Sequence, residues 1–182
     1  MVKIVTAPNP ALSQKAKEIP TVDKSIDVLI KEMETALSLA KDPIGVGLAA
    51  PQIGKSLSIF IVRPNPKAKL RIFINPKIIE KINAKKPTKA EKEERKKLEG
   101  CLSLPNIWGN VERAEKIKLK FLDEAGKSHS RTFEGFLSTI IQHEVDHLNG
   151  VLFPKKVLEQ KGTLYKSHKN KKGEDVFDEM EI

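Results

Sequence analysis

Gln142-His143-Glu144-Val145-Asp146-His147 decides how the rest of this chain is read. Wound as a helix, the stretch puts His143 and His147 one turn apart on one face, with Glu144 beside them. Two neutral imidazoles at that spacing suit a divalent cation of borderline softness; such a cation acidifies water, and a flanking carboxylate collects the proton. His-Glu-x-x-His on a helix therefore reads as a metal site with its own base. So short a pattern also arises on ordinary amphipathic helices, but the chain has only four histidines and places two of them here. A helix over about 136 to 148 fits the apolar spacing, and Asn149-Gly150 stands where a left-handed cap would end it.

Working outward from that helix, residues 116 to 122 alternate lysine with apolar side chains, the pattern of a half-exposed strand. Asp123-Glu124-Ala125-Gly126 then turns the chain into a second strand through Phe133, making a hairpin. Further upstream, 59 to 62 and 71 to 74 are β-rich and bounded by Pro64, Pro66 and Pro76, with Ile78 and Ile79 as a continuation. Ile26, Leu29, Ile30, Met33, Leu37 and Ala40 recur at helical spacing behind Asp23, a good N-cap, so a helix is expected to run from there toward Lys41-Asp42-Pro43. Residues 1 to 20 carry turn signals at Pro8-Asn9-Pro10 and Pro20 around a short polar helix, Ala11 to Ala16, and read as a surface wrap.

The chain's 182 residues, 39% of them hydrophobic, suffice for one domain with a real core, and no linker divides them. The single cysteine, Cys101, has no intramolecular partner, which fits a reducing compartment. With neither a signal peptide nor a membrane-length apolar run, the expectation is a soluble cytoplasmic protein. A net charge of +9 favours acidic partners such as RNA or ribosomes. Residues 81 to 97 hold eight basic side chains against three acidic ones and read as a basic surface insertion. They lack the interleaved aromatics of a base-stacking surface. From 161 to 182 a basic run gives way to an acidic end, composition that suggests a mobile segment.

The third metal ligand is open on spacing alone. A downstream third histidine is excluded, because Phe153 stands at the required offset after Gly150. Glu159 and Glu174 are candidates for a later-helix glutamate. Upstream, Cys101 sits in Glu99-Gly100-Cys101-Leu102-Ser103-Leu104-Pro105; a thiolate there would complete a soft Cys-His-His set with a fourth position left open. A lone cysteine is otherwise a small buried hydrophobe. The glycine-rich stretch 45 to 54 lacks the Lys-Ser/Thr ending of a phosphate loop. Its small residues let another backbone lie alongside, and Gln52 offers an amide donor.

GVGLAAPQIG at 45 to 54, EGCLSLP at 99 to 105 and QHEVDHLNG at 142 to 150, in this order, resemble the three signature motifs of the peptide deformylases. The resemblance spans about residues 1 to 155. It implies an α+β fold with antiparallel sheets around the His-Glu helix, and removal of the formyl group from formyl-methionine on newly made polypeptides, with release of formate. By the same resemblance Cys101, His143 and His147 are the metal ligands and Glu144 the general base. The Gln52 amide and the backbone N–H of Leu102 are the oxyanion donors. Fe(II) is the expected ion, with Zn, Ni or Co as alternatives. The substrate backbone is expected to pair with Val46-Gly47 on one side and around Gly100 on the other. Ile140 and Phe136, three and seven residues before His143, share its face and are candidates for the methionine pocket. Glu99 and Arg113 are expected to pair and brace the Cys101 loop; Asp146 points away from the ligand face by helical geometry and is expected to be an anchor rather than a ligand. A monomer is expected, and ribosome association near the exit tunnel would follow from the charge. A metallopeptidase, a binding protein with a structural metal, and a basic RNA-binding module are the competing readings; none accounts for all three motifs.

Overall fold

The computed structural model describes residues 2–40, 44–82 and 98–181. Among the described residues nine strands form two antiparallel sheets, flanked by three helices. The first sheet has the order β1-β2-β3-β6-β7, from Gly47–Ala49 (β1), Ile59–Val62 (β2), Arg71–Ile82 (β3), Lys116–Leu122 (β6) and Ser128–Glu134 (β7). The second has the order β4-β5-β8-β9, from Leu98–Cys101 (β4), Leu104–Asn110 (β5), Leu164–Lys169 (β8) and Asp175–Glu179 (β9). Strands β1 and β4 are therefore edge strands. The helices are α1 (Lys24–Leu39), α2 (Gly135–Leu148) and α3 (Phe153–Glu159).

Strand β2 shows why helices cover both faces of the first sheet. All four of its residues are buried, and successive side chains point to opposite sides. Ile59 and Ile61 join Ile26, Leu29, Ile30, Met33 and Leu37 of α1 in one core. Phe60 and Val62 join Ile140, Ile141 and Leu148 of α2 in the other, beside Phe73, Phe121 and Phe133. The Phe60 and Phe73 rings stack at 4.7 Å. Each fully buried side chain of this size contributes about 1.5–3 kcal/mol, so the helix carrying the His-Glu motif is held by packing along its apolar face. A third, smaller core of Cys101, Phe153, Val157 and Leu164 lies between α3 and the second sheet.

The helix over α1 starts where expected, with the Asp23 carboxylate accepting from Ser25 N at 2.8 Å. The 123 to 126 turn and the hairpin it closes also match. Pro76, read from sequence as a strand boundary, does not end β3. The ladder shifts register between Ile74 and Lys77, Asn75 adopts φ 48°, and its side chain bonds both Ile19 N and Ile19 O at 2.8 Å. A bulge admits proline because it removes the need for its missing N–H. The polar helix expected over Ala11 to Ala16 is replaced by a 3-10 turn at Pro10–Leu12.

The N-terminal wrap is tied to the body through backbone bonds: Val5 N to Gln52 O at 2.8 Å, Ala7 N to Ser103 O at 3.1 Å, and Ala16 N to Leu148 O at 2.8 Å. The C-terminal stretch, expected to be mobile from its charge, holds β8 and β9 instead. Its acidic and basic halves face each other across the hairpin, with Lys169 2.6 Å from Asp175 and His168 3.1 Å from Asp178. Of the basic 81–97 stretch, Lys81 and Ile82 belong to β3, and the remainder lies outside the described residues.

Candidate metal centre

Helix α2 carries His143, Glu144 and His147; β4 ends on Cys101, and a tight turn at Leu102-Ser103 leads into β5. Cys101 Sγ lies 3.2 Å from His147 Nε2, which lies 3.1 Å from His143 Nε2. The three donor atoms fall within 4.8 Å of one another. Cys101 and His147 are buried, with 4% and 1% of their surfaces exposed. Three donors turned on one another in the interior are a group that could hold a metal ion, and a thiolate with two imidazoles is a set that Fe(II), Zn, Ni or Co accepts. Among the described residues, His147 Nδ1 and Glu144 Oε2 are buried without a hydrogen-bond partner, which further marks a site built to hold something.

His143 is oriented from behind. Its Nδ1 lies 2.6 Å from Glu99 Oε1. Burial works to raise the Glu99 carboxyl, but His143 and Arg113 outweigh it and hold the group at about 2. An ionised carboxylate only accepts, so Nδ1 carries the proton and Nε2 is left as the donor atom facing Cys101 and His147. Arg113 binds Glu99 through Nε and Nη2, at 3.1 and 2.7 Å, and Asp146 through Nη1 at 2.5 Å. The pairing of Glu99 with Arg113 was legible in the sequence; the contact of Glu99 with His143 was missed. The signal was there, because Glu99 and Cys101 stand two apart in a strand and so share a face.

Glu144 is 3% exposed, and burial pushes its carboxyl up to about 7. Gly47 lies directly against it: a Cβ at that position would overlap the Glu144 carboxylate and approach Ile140 Cγ2 to 2.9 Å. The glycine is needed for this approach, not for backbone freedom. Arg63 N donates to Val46 O at 2.8 Å, and Gly47 pairs opposite Val62. Successive peptide groups in a strand alternate sides, so the N–H and C=O of Gly47 face the free edge of β1.

The Gln52 amide is fixed at its oxygen end, which accepts from Ala49 N at 2.8 Å. Its nitrogen is thereby aimed at the site, 3.7 Å from Cys101 Sγ and 3.3 Å from Ser103 Oγ. Ser103, fully buried, also donates its backbone N–H to Cys101 Sγ at 3.4 Å, a role not found from sequence. Ile140 is a core residue beside Gly47, whereas Phe136 is 58% exposed at the start of α2 and is not part of the core. Trp108 lies against Gly100: a Cβ there would meet the indole at 2.8 Å.

An α+β fold that gathers a thiol, two imidazoles and a buried carboxylate near β1 and β4, both edge strands among the described residues, has the make-up of a metal-dependent hydrolase. The chain matches the family model described as Polypeptide deformylase over residues 1–163. A peptide deformylase of Borreliella burgdorferi is 42% identical over 151 residues, covering 83% of this chain and 84% of that one. Peptide deformylase 1 of Bacillus cereus is 39% identical over 157 residues, covering 86% and 92%. Among solved structures, a peptide deformylase from Legionella pneumophila superposes with a TM-score of 0.73 at 38% identity, covering 86% of this chain and 85% of that one. The chain belongs to the polypeptide deformylase family, whose members are metal-dependent enzymes. No helix among the described residues is long and apolar enough to cross a membrane.

Proposed function

We propose that this chain hydrolyses the formamide bond of N-formyl-methionine at the start of newly made polypeptides, with Cys101, His143 and His147 holding the metal. The convergence of those three donors beside a buried, unpaired Glu144 oxygen carries the reading. A bound divalent cation supplies Lewis acidity and makes water a nucleophile at neutral pH. In the reaction water adds to the formyl carbon, the C–N bond breaks, formate leaves and the amine takes up a proton. Glu144 takes the proton from the attacking water and returns it to the leaving nitrogen. The Gln52 amide nitrogen and the backbone N–H of Leu102 donate to the carbonyl oxygen as negative charge develops there. Losing one such donor typically costs about a hundred-fold or more in rate.

The substrate backbone runs between the free edges of β1 and β4, pairing with Val46-Gly47 on one side and near Gly100 on the other. Edge pairing gives register without reading each side chain. Ile140 and Phe136 line the methionine pocket, and the exposure of Phe136 suits a pocket rim better than core packing. Fe(II) is the native ion on this reading, because the family resemblance favours it and the ligand set accepts it. The same reading has the protein acting in the cytoplasm as a monomer, with its positive charge drawing it to ribosomal RNA near the exit tunnel. The test is formate release from a formyl-Met-Ala peptide by anaerobically prepared protein, with Glu144→Ala as control. Turnover should drop by about 10²–10⁴ in the control with metal retained. No turnover by metal-loaded protein would overturn the assignment.

A further inference from the structure

The match to the family model ends at residue 163, yet the hairpin β8-β9 begins at Leu164 and pairs with β5, the neighbour of the strand that bears Cys101. Strand β8 pairs with β5 through Ile107, Trp108 and Gly109. Trp108 is held from two sides by that hairpin: its Nε1 donates to Ser167 Oγ at 2.9 Å, and Phe177 meets its ring edge-on at 5.8 Å and 82°. In turn the indole covers Gly100, its cross-strand partner, where an added Cβ would lie 2.8 Å from Cε3 and Cζ3. The β4–β5 ladder shifts register immediately after this pair, between Gly100 and Cys101. Leu164 and Met180, at the two ends of the hairpin, pack in the same small core as Cys101.

We infer that the C-terminal hairpin is a positioning element for catalysis: through Ser167, Phe177 and Trp108 it fixes the free edge of β4 at Gly100, the edge against which the substrate backbone lies. The inference rests on the proposed substrate path. None of the three side chains is placed to touch the reacting atoms, so each is a positioning residue. An aromatic pair of this kind is worth about a three- to ten-fold change in an equilibrium.

The test compares the intact metal-loaded enzyme with Phe177→Ala and Ser167→Ala. Two substrates are used: formyl-Met-Ala-Ser, which is long enough to run along β4, and formyl-methionine amide, which is not. The expected result is a three- to ten-fold rise in KM for the tripeptide, with kcat and metal content unchanged and the amide unaffected. Trp108 is the only tryptophan, so its emission reports the ring directly and should shift to the red in Phe177→Ala as the ring loses cover. Equal losses on both substrates, or unaltered kinetics and emission, would overturn the inference. Absence of turnover in the parent enzyme would instead overturn the substrate path on which it rests.

Discussion

Replacing Gly47 by alanine tests the geometry of Glu144, the proposed base. The added methyl would overlap the Glu144 carboxylate and reach Ile140 Cγ2 at 2.9 Å. The closer clash is with the Glu144 carboxylate oxygen, the far end of a flexible side chain, so the Glu144 side chain is the group that must yield. Overpacking of this kind costs about 1–3 kcal/mol of stability. Displacing a catalytic group by about 1 Å costs on the order of a hundred-fold in rate, so the activity loss should far exceed what the stability change implies. Gly45→Ala is the control, since its Cβ would meet Leu37 Cδ1 at 2.7 Å and Ala40 Cβ at 3.2 Å, away from the carboxylate. Urea unfolding should show comparable destabilisation in the two variants. Formate release from formyl-Met-Ala should fall about a hundred-fold in Gly47→Ala alone. Gly47→Ala protein that is fully metal-loaded and within about three-fold of the parent, below 1 kcal/mol of barrier, would refute the close approach of β1 to Glu144.

Two further outcomes follow from the proposed ligand set. Cys101→Ser replaces a soft thiolate by a poor ligand, so metal per chain measured by plasma mass spectrometry should fall well below one, and full occupancy would remove Cys101 from the set. Glu99→Gln takes the charged acceptor from His143 Nδ1 while leaving Arg113 its bond to Asp146. Metal affinity in a chelator competition should drop about 10- to 100-fold, and an unchanged affinity would show that the carboxylate does not hold the imidazole.

Periodicity carried far for elements that bury one face. Met33 and its neighbours at helical spacing gave α1, and the lysines alternating with Ile117, Leu119 and Phe121 gave β6. The second sheet was harder to read. Strand β4 is four residues long and includes a glycine, and β5 runs through Pro105 and through Asn106 at φ 63°. Such residues have poor strand propensity, and only pairing with neighbours, β4 with β5 and β5 with β8, makes them strands. Helix α3 spans a single short run, Phe153–Glu159, beginning with Phe-Pro, too brief for a period to show. At the site, residue types at fixed spacing were enough to find the His-Glu helix. Residue chemistry also raised Cys101 and Gln52 as candidates, the resemblance chose Cys101 over Glu159 and Glu174, and in the structure the Gln52 amide nitrogen lies 3.7 Å from Cys101 Sγ. What spacing cannot supply is direction: that the Gln52 oxygen is tied to Ala49 and its nitrogen turned inward, or that Ser103 stands beside it, depends on contacts between segments remote in the chain.

The backbone ties of the first sixteen residues bear on how the molecule is made. Val5, Ala7 and Ala16 bond to Gln52, Ser103 and Leu148, so one short segment is joined to each of the three motif segments, the last of them remote from it in the chain. Contacts between such distant points form slowly, because chain closure must come before any gain from them. Closure of such spans is therefore expected late in folding, with the Cys101, His143 and His147 atoms gaining their mutual spacing together rather than in chain order.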